Sequence, residues 1–389
     1  MGENRIGVAI IGSTGSIGVQ TLEVIDMFQD RFKVVGLTTN RNIETLVRQI
    51  SRYKPKYVYI ASEEGRYKIK KEVSGIEIRD QKEIIKSEEV QFVVIGVPGF
   101  DSVEPTIEAV KAGKRVAVAS KEAILCGGKF IFSLAESTGA KILPIDSEHS
   151  SLWKILNKYG KKNIKKIYIT ASGGPFLNLS KSDLENVKVE DALKHPVWRM
   201  GEKITIDSAN LMNKAFEIIE ASYLFDLPVD IIAVKVHPEA IIHSAVEYRD
   251  GTMIMSAHYP DMRIPIMYSL LYDREFEVPF SIPEVWGGSY RFMDPDTERF
   301  PAILLGWRCS KYPLPCVLVS ADDIAVNLFL QKKIRFTDIF KIVDGTITYF
   351  ERIIDTVSIN DLGDVLKLSK EAKRTALKIA ERFVMNSDS

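Results

Sequence analysis

Two acidic side chains and a histidine follow directly on an apolar run. Ile142–Ile145 is typical of a buried strand, and Asp146, Glu148 and His149 come immediately after it. On an extended chain, residues separated by one position project to the same side, so both carboxylates would share one face. Because neighbouring carboxylates repel each other, we expect a positive charge beside them.

A second polar cluster lies in the segment DSANLMNKAFEIIE. On a helix, the offsets between Asn213, Lys214 and Glu217 place the three side chains on one face. Ser208 is predicted to cap the N-terminus of this helix, where the helix dipole would attract a phosphate. The alternative is a surface ion pair between Lys214 and Glu217, worth only about 0.2–0.5 kcal/mol.

Carboxylates from the two clusters could hold one divalent cation. Asp146, Glu148 and Glu217 offer oxygen ligands, with no thiolate and no clear histidine pair among the candidates. Such a set suits Mg²⁺ or Mn²⁺ better than zinc. The positive charge expected beside Asp146 would then be a metal ion, although spacing alone does not decide for or against it.

A glycine-rich turn, GSTGSIG (Gly12–Gly18), stands between the first predicted strand and the first predicted helix. Glycines at such a turn let backbone N–H groups approach a pyrophosphate, so the position favours dinucleotide binding over a ligand-free tight turn. The second strand ends in TTNRN, which carries Arg41 and no acid. An arginine there favours NADP(H) over NAD, the alternative being a solvated loop cation.

Three further stretches could contact a substrate. In ASGGPF, the Ser172 hydroxyl and the glycine backbone could bind an anionic or polyol group, or the stretch could be a plain turn. The loop HPVWRMG (His195–Gly201) carries Trp198, which suits a lid that excludes water, although most isolated tryptophans are anchored in a core. Lys121 in ASKEA follows a strand end, where its ammonium could lie next to a reacting oxygen or simply pair in solvent near Glu122.

The elements that must position these residues alternate over the first ~145 residues. Short β-rich runs alternate with helical patterns, which predicts a parallel sheet wrapped by helices. Farther on, the turn signal RDG separates two alternating runs and predicts a hairpin. Residues 275–301 are rich in Pro, Gly and aromatics and read as a connector. The remainder is predicted to be a helical bundle, with helix starts at Ser320 and Thr337 and a helix over Leu362–Val384.

Composition bounds the class of protein. The chain has 389 residues, 46% of them hydrophobic and 27% charged, as in folded globular proteins of more than one domain. Lys+Arg and Asp+Glu both number 52, which argues against nucleic acid or an anionic membrane as a partner. The three cysteines form no metal spacing, and the first strand leaves no room for a signal peptide. We therefore expect a cytoplasmic protein that does not span a membrane.

The motifs together resemble one family. GSTGSIG, ASKEA, DSEHS, SGGPF, HPxWxMG and DSANLMNKAFEIIEA occur in the order found in the 1-deoxy-D-xylulose 5-phosphate reductoisomerase family, and the match runs essentially the whole length. The resemblance implies an α/β fold assembled as a homodimer. Its implied parts are an N-terminal Rossmann-type NADPH domain (1–146), a central α/β catalytic domain with the metal and substrate site and a dimer strand (147–274), a linker (275–299) and a C-terminal four-helix bundle (300–389).

The resemblance also implies roles for individual residues. The implied metal ligands are Asp146, Glu148 and Glu217. The implied substrate contacts are Lys121, Ser147, Glu148, Ser172, His195, Trp198, Ser208, Asn213, Lys214 and Glu217, of which Lys121, Glu148 and His195 would be catalytic. The implied NADPH contacts are Thr14, Gly15, Ser16, Ile17, Asn40, Arg41, Asn42, Ser120, Glu122, Met200 and Gly201. The family often has Gly-Lys-Asn where this chain has Asn40-Arg41-Asn42, and often Asn at Ser120, so cofactor affinity could differ.

The implied activity is the isomerisation and NADPH-dependent reduction of 1-deoxy-D-xylulose 5-phosphate to 2-C-methyl-D-erythritol 4-phosphate. It would need Mg²⁺ or Mn²⁺, with Co²⁺ as a further option, and a sugar phosphate as the small-molecule partner. Two other functions are open to a chain with these motifs. One is a plain NADP-dependent dehydrogenase of a hydroxy acid or polyol, and the other is a dinucleotide-sensing regulator with a dimerising helical tail.

Overall fold

The computed structural model describes residues 5–198 and 200–384. The predicted domains and the predicted lid also include residues 1–4, 199 and 385–389, which lie outside the described residues. In the part described, none of the helices is both long and apolar enough to cross a membrane.

The strands and helices follow the predicted alternation and then a helical tail. The strands are β1 Ile6–Ile11, β2 Phe32–Thr39, β3 Tyr57–Ile60, β4 Glu77–Ile78, β5 Phe92–Ile95, β6 Arg115–Val118, β7 Lys141–Pro144, β8 Ile164–Ala171, β9 Ile232–Val236, β10 Ile242–Tyr248 and β11 Met253–Ala257. The helices are α1 Ser16–Met27, α2 Ile43–Tyr53, α3 Glu63–Glu72, α4 Gln81–Lys86, α5 Val103–Lys111, α6 Lys121–Thr138, α7 Ser147–Tyr159, α8 Val189–Ala192, α9 Glu202–Ala209, α10 Met212–Phe225, α11 Arg263–Leu270, α12 Leu305–Arg308, α13 Leu314–Leu330, α14 Phe336–Glu351 and α15 Leu362–Ala380.

The first of two compact units contains the parallel sheet. It comprises the described residues up to Ala123 together with Ile131–Ser150 and Asp261–Ile282. Among those residues, strands β1 to β7 form one sheet in the order β4-β3-β2-β1-β5-β6-β7, and every pairing is parallel. The strand order reverses at β1, which has β2 on one side and β5 on the other. Open α/β sheets bind ligands outside the carboxyl ends of their strands at such a reversal.

The second unit contains a smaller sheet and the helical tail. It comprises Ile124–Phe130, Ser151–Pro260 and the described residues from Pro283 onward. Its sheet has the order β11-β10-β8-β9, and the antiparallel β10–β11 pair confirms the predicted hairpin. Helices α13, α14 and α15 pack against one another, as expected for a bundle.

Two predicted helix starts are wrong. Ser320 lies inside α13, which begins at Leu314 because the buried apolar face starts there and Pro315 occupies its first turn. The Ser320 hydroxyl instead donates to the Cys316 carbonyl at 2.7 Å, and its oxygen lies 2.8 Å from Ser369 Oγ, within hydrogen-bond distance. Thr337 lies within α14, which begins at Phe336, because Asp338 accepts a hydrogen bond from the Arg335 backbone N–H.

Candidate active site

The glycine-rich turn follows β1 directly and leads into α1, as predicted. Gly12 has a φ of +86°, in the region that favours glycine. A Cβ at Gly18 would lie 2.4 Å from the Gly12 carbonyl oxygen, so only glycine lets α1 start this close to the turn. Thr14 Oγ1 lies 2.7 Å from Thr39 Oγ1 at the end of β2. The turn is thus held rigidly, with the N-terminus of α1 facing the carboxyl edge of the sheet.

The end of β2 carries no acid and one exposed cation. Asn40 and Arg41 are exposed, and Arg41 forms no ion pair within the described residues. Asn42 caps α2, since its side-chain oxygen accepts a hydrogen bond from the Thr45 N–H at 3.1 Å. Arg41 is therefore placed on a rigid helix start, next to the turn, where it is accessible to a ligand.

Lys121 lies at the start of α6, directly after β6. Its Nζ lies 2.8 Å from Asp146 Oδ2, and the two side chains are 4% and 13% exposed. The alternative of a solvated lysine is therefore wrong. Ser120, beside it, donates to the Val97 carbonyl, and Glu122 is buried in the first turn of α6. A buried ammonium beside a largely buried carboxylate is costly to assemble, and such pairs are often found where function requires them.

Asp146 and Glu148 are neighbours, although not for the predicted reason. The chain does not remain extended after β7, because α7 begins at Ser147 and Glu148 lies in its first turn. One carboxylate oxygen of each residue nevertheless lies within 4.8 Å of the other. Ser147 Oγ donates to Glu148 Oε2. A carboxylate in the first turn of a helix is favoured by the helix dipole, which partly offsets the repulsion between the two acids.

Asn213, Lys214 and Glu217 share one face of α10, as predicted. Lys214 Nζ donates to Glu217 Oε2 and to the Thr170 carbonyl, and Asn213 Nδ2 donates to Glu217 Oε1. Lys214 and Glu217 are only 4% and 1% exposed, so the alternative of a surface ion pair is wrong. Thr170, missed by sequence reasoning, supplies a carbonyl from the end of β8, directly before the SGGPF stretch.

The predicted capping role of Ser208 is wrong. Ser208 lies in the last turn of α9, and the chain then breaks at Leu211, which has a φ of +64°. Leu211 occupies the N-cap position of α10. The sequence placed the start of this helix too early, because a left-handed leucine has no sequence signal comparable to that of glycine.

His195 joins two serines from distant parts of the chain. Its Nε2 lies 3.2 Å from Ser172 Oγ and 3.0 Å from Ser208 Oγ. Its Nδ1 accepts hydrogen bonds from the Val197 N–H at 3.1 Å and the Trp198 N–H at 2.8 Å. Because Nδ1 is an acceptor, the proton of the neutral ring lies on Nε2, and the two serine oxygens share this one N–H donor. Each serine O–H can then donate to a ligand.

Burial keeps this imidazole neutral. It lowers the pKa of His195 to about 4, so the ring carries no charge at neutral pH. The cluster formed by Ser172, His195 and Ser208 therefore offers hydroxyl donors, and on α10 the same unit carries the buried Lys214 ammonium. Donors and a cation of this kind suit a phosphate.

Two glycines let the SGGPF stretch reach α9. Gly173 and Gly174 have φ values of +89° and +66°. A Cβ at Gly174 would lie 2.8 Å from the Ser208 carbonyl oxygen, so a larger residue would push the loop away from Ser208. The stretch is a tight turn, and its glycines bring Ser172 close to His195.

The 195–201 loop presents a half-buried tryptophan. Trp198 lies with its ring centroid 6.4 Å from that of His243, which stacks on His258 at 3.8 Å. Met200 is half-buried, and Gly201 is the N-cap of α9. Trp198 is thus neither fully enclosed in a core nor fully in solvent.

Comparisons with known proteins identify one family. A family model described as 1-deoxy-D-xylulose 5-phosphate reductoisomerase matches residues 8–128, and two models of reductoisomerase C-terminal domains match residues 142–225 and 258–375. A relative of that name from Caldanaerobacter subterraneus subsp. tengcongensis is 41% identical over 377 residues, which cover 95% of this chain and 98% of the relative. The chain belongs to the 1-deoxy-D-xylulose 5-phosphate reductoisomerase family.

Solved structures of reductoisomerases have the same fold. A crystal structure of DOX-P reductoisomerase in complex with NADPH, fosmidomycin and magnesium superposes with a TM-score of 0.91 at 32% identity, covering 97% of this chain and 98% of that chain. The Zymomonas mobilis 1-deoxy-D-xylulose 5-phosphate reductoisomerase in complex with NADPH gives 0.87 at 34% identity, covering 97% and 100%. The predicted fold class is confirmed: an N-terminal Rossmann-type nucleotide domain, an α/β catalytic part and a C-terminal helical domain.

Proposed function

We propose that the protein is an NADPH- and divalent-metal-dependent reductoisomerase, which converts 1-deoxy-D-xylulose 5-phosphate into 2-C-methyl-D-erythritol 4-phosphate. Membership of the family supports the reaction. The observation that carries the substrate class is the neutral His195, whose Nε2 lies within 3.2 Å of two serine hydroxyls from separate chain segments. This arrangement offers hydrogen-bond donors to an anion without a charged histidine.

The phosphate of the substrate is bound by Ser172, Ser208, Asn213 and Lys214. Lys214 contributes the positive charge, and its contacts to Glu217 and the Thr170 carbonyl fix the ammonium in place. His195 orients the two serine hydroxyls. Fixing the phosphate restricts the reacting carbons to one geometry, which lowers the entropic part of the barrier. Ser147 and Trp198 complete the substrate contacts, and closure of the 195–201 loop excludes water from the reactive intermediates.

The metal ligands are Asp146, Glu148 and Glu217. The residues present fit such an ion: ligands of an octahedral Mg²⁺ lie about 3 to 4 Å apart, since each sits about 2.1 Å from the metal. The oxygens of Asp146 and Glu148 lie within 4.8 Å of each other, which is compatible with that range. Mg²⁺ or Mn²⁺ is the favoured ion, and Co²⁺ is a further option. When bound, the ion supplies Lewis-acid stabilisation of negative charge on the substrate oxygens.

Lys121 and Glu148 are the candidates for moving protons. Lys121 is buried, and its Nζ lies 2.8 Å from Asp146 Oδ2, which holds the side chain in one conformation. The ammonium is thereby positioned to donate a proton or a hydrogen bond to a substrate oxygen. His195 is present in its neutral form at neutral pH, because burial lowers its pKa to about 4. Its catalytic contribution is therefore a hydrogen bond donated from Nε2.

NADPH binds at the carboxyl edge of the parallel sheet. Its contacts are Thr14, Gly15, Ser16, Ile17, Asn40, Arg41, Asn42, Ser120, Glu122, Met200 and Gly201. The N-terminus of α1 receives the pyrophosphate, and the exposed Arg41 pairs with the 2′-phosphate. The absence of an acid at the end of β2 removes the usual partner of the NAD ribose hydroxyls.

The protein acts as a cytoplasmic homodimer through β11. This strand is an edge of its sheet in the described part of the chain, and Met253 and Met255 are 43% and 49% exposed. A second copy could pair with the open backbone of the edge and cover both methionines. Functionally the chain divides into the NADPH domain 1–146, the catalytic domain 147–274, the linker 275–299 and the bundle 300–389.

The deciding experiment follows NADPH absorbance with 1-deoxy-D-xylulose 5-phosphate, before and after EDTA treatment. We expect turnover that EDTA abolishes and that added Mg²⁺ or Mn²⁺ restores. Metal-independent oxidation of a simple alcohol would instead favour a plain dehydrogenase. NADPH binding without turnover of any phosphoketose would favour the dinucleotide-sensing regulator.

A further inference from the structure

A buried ionic cluster attaches α9 to the helical bundle. Lys203 Nζ lies 2.7 Å from Asp207 Oδ2, 2.6 Å from Asp322 Oδ2 and 3.8 Å from Asp323 Oδ1. The side chains of Lys203, Asp207 and Asp322 are 18%, 2% and 0% exposed. Lys373 of α15 lies 3.3 Å from Asp323 Oδ2 and extends the cluster. The spacing of Lys203 and Asp207 is visible in the sequence, but Asp322 lies 119 positions farther on.

The cluster acts on both ends of a two-turn helix. Lys203 is the second residue of α9, two positions after Gly201, where the predicted lid ends. Asp207 directly precedes Ser208, whose Oγ lies 3.0 Å from His195 Nε2. A shift of α9 along or across α13 would therefore move the lid anchor and the Ser208 hydroxyl together.

Stability alone is a weak reason for this arrangement. Burying charges carries a desolvation penalty, and replacing a buried ion pair by packed apolar side chains is often neutral or stabilising. An ammonium between two carboxylates nevertheless sets a geometry that apolar packing does not, because each N···O contact must be near 2.7 Å. The cluster therefore fixes the position of α9 on α13 more than it stabilises the fold.

We propose that Lys203 and Asp322 are positioning residues, which set the place of Ser208 for the phosphate of the substrate. The inference rests on the proposed function, since it takes Ser208 as a phosphate contact. Displacements of the order of 1 Å remote from the reacting atoms can cost about a hundredfold in rate, so a partial loss of the contact should be measurable.

The test is a double-mutant cycle with Ser208→Ala. Asp322→Ala is expected to raise KM for 1-deoxy-D-xylulose 5-phosphate about tenfold, a fraction of the loss that a 1 Å displacement causes. KM for NADPH should rise much less, because most of its proposed contacts lie at the carboxyl edge of the parallel sheet and not beside α9. Asp322→Asn, which retains an oxygen acceptor for Lys203, should recover most of the effect. In the Ser208→Ala background, Asp322→Ala should add less than about twofold, because coupled residues are not additive.

The matched control is Ser320→Ala, two positions before Asp322 on α13. It removes the buried hydrogen bond to Ser369 without touching α9, so it should lower the melting temperature and leave KM unchanged. Additive effects of Ser208→Ala and Asp322→Ala would overturn the proposal, as would a lowered melting temperature with normal KM in Asp322→Ala. If that variant fails to fold, the cycle is run with Lys203→Gln, which removes the ammonium and keeps a side chain that can hydrogen-bond to both carboxylates.

The two hypotheses fail separately. Wild-type protein without NADPH turnover would refute the proposed function and leave the positioning role to be measured. The same cycle would then be read from the dissociation constant of inorganic phosphate by calorimetry. Equal phosphate affinities in wild type and Asp322→Ala would refute the positioning role.

Discussion

The imidazole of His195 has two roles, which two different substitutions can separate. Nδ1 accepts the N–H groups of Val197 and Trp198, which shapes the loop, and Nε2 donates to Ser172 and Ser208. His195→Ala removes both. His195→Asn keeps an oxygen that can accept the backbone N–H two residues on, as asparagine does in turns, yet it does not reach the serines.

The magnitudes follow from the hydrogen bonds. An unsatisfied, partly buried N–H costs about 1–3 kcal/mol, so His195→Ala should destabilise the fold by roughly that amount, and His195→Asn by less. Loss of one well-placed hydrogen bond to a charged phosphate costs about 1.5–3 kcal/mol, which is roughly 10- to 100-fold in kcat/KM. Both variants should show that loss.

Initial rates of NADPH oxidation and thermal unfolding measure the two effects independently. KM for NADPH is the internal control and should change much less, because most proposed NADPH contacts lie outside the 195–201 loop. A His195→Asn variant with wild-type kcat/KM would refute the reasoning, because the Nε2–H···Oγ contacts would then be unnecessary. If His195→Ala lowered kcat/KM but left the stability unchanged, only the role of Nδ1 in stabilising the loop would be refuted.

Three further predictions use the same protein. Glu217→Gln should abolish metal-dependent turnover while NADPH affinity measured by fluorescence stays near wild type; normal activity in metal-free buffer would exclude Glu217 as a ligand. Arg41→Ala should raise KM for NADPH far more than for NADH, and equal effects would remove the 2′-phosphate contact. Because the pKa of His195 is lowered in the folded protein to about 4 from about 6.5, its neutral form favours folding above pH 6.5, and stability falls as pH drops from 6.5 towards 4. The melting temperature of His195→Asn should therefore fall less over this window than that of wild type, and parallel curves would contradict the shift.

The sequence by itself predicted those features that depend on only a few neighbouring residues. The glycine turn, the strand-helix alternation and the shared face of Asn213, Lys214 and Glu217 each follow from spacing over a few residues. Backbone geometry imposes these periods on any chain that forms the element, so a window of sequence is sufficient to detect them. The motif order also identified the family before any fold was known.

Only the tertiary structure showed which charged side chains form ion pairs and which polar side chains contact each other in the site. Lys121 pairs with Asp146, His195 joins Ser172 to Ser208, and Lys203 reaches Asp322. None of these contacts has a fixed spacing along the chain, because each depends on how whole elements pack. The same reason explains the two wrong helix starts. Serine is a common N-cap residue, so Ser208 and Ser320 were each predicted to begin a helix. The burial of neighbouring apolar residues overrode both local preferences, since packing free energy exceeds the roughly 1 kcal/mol of a cap.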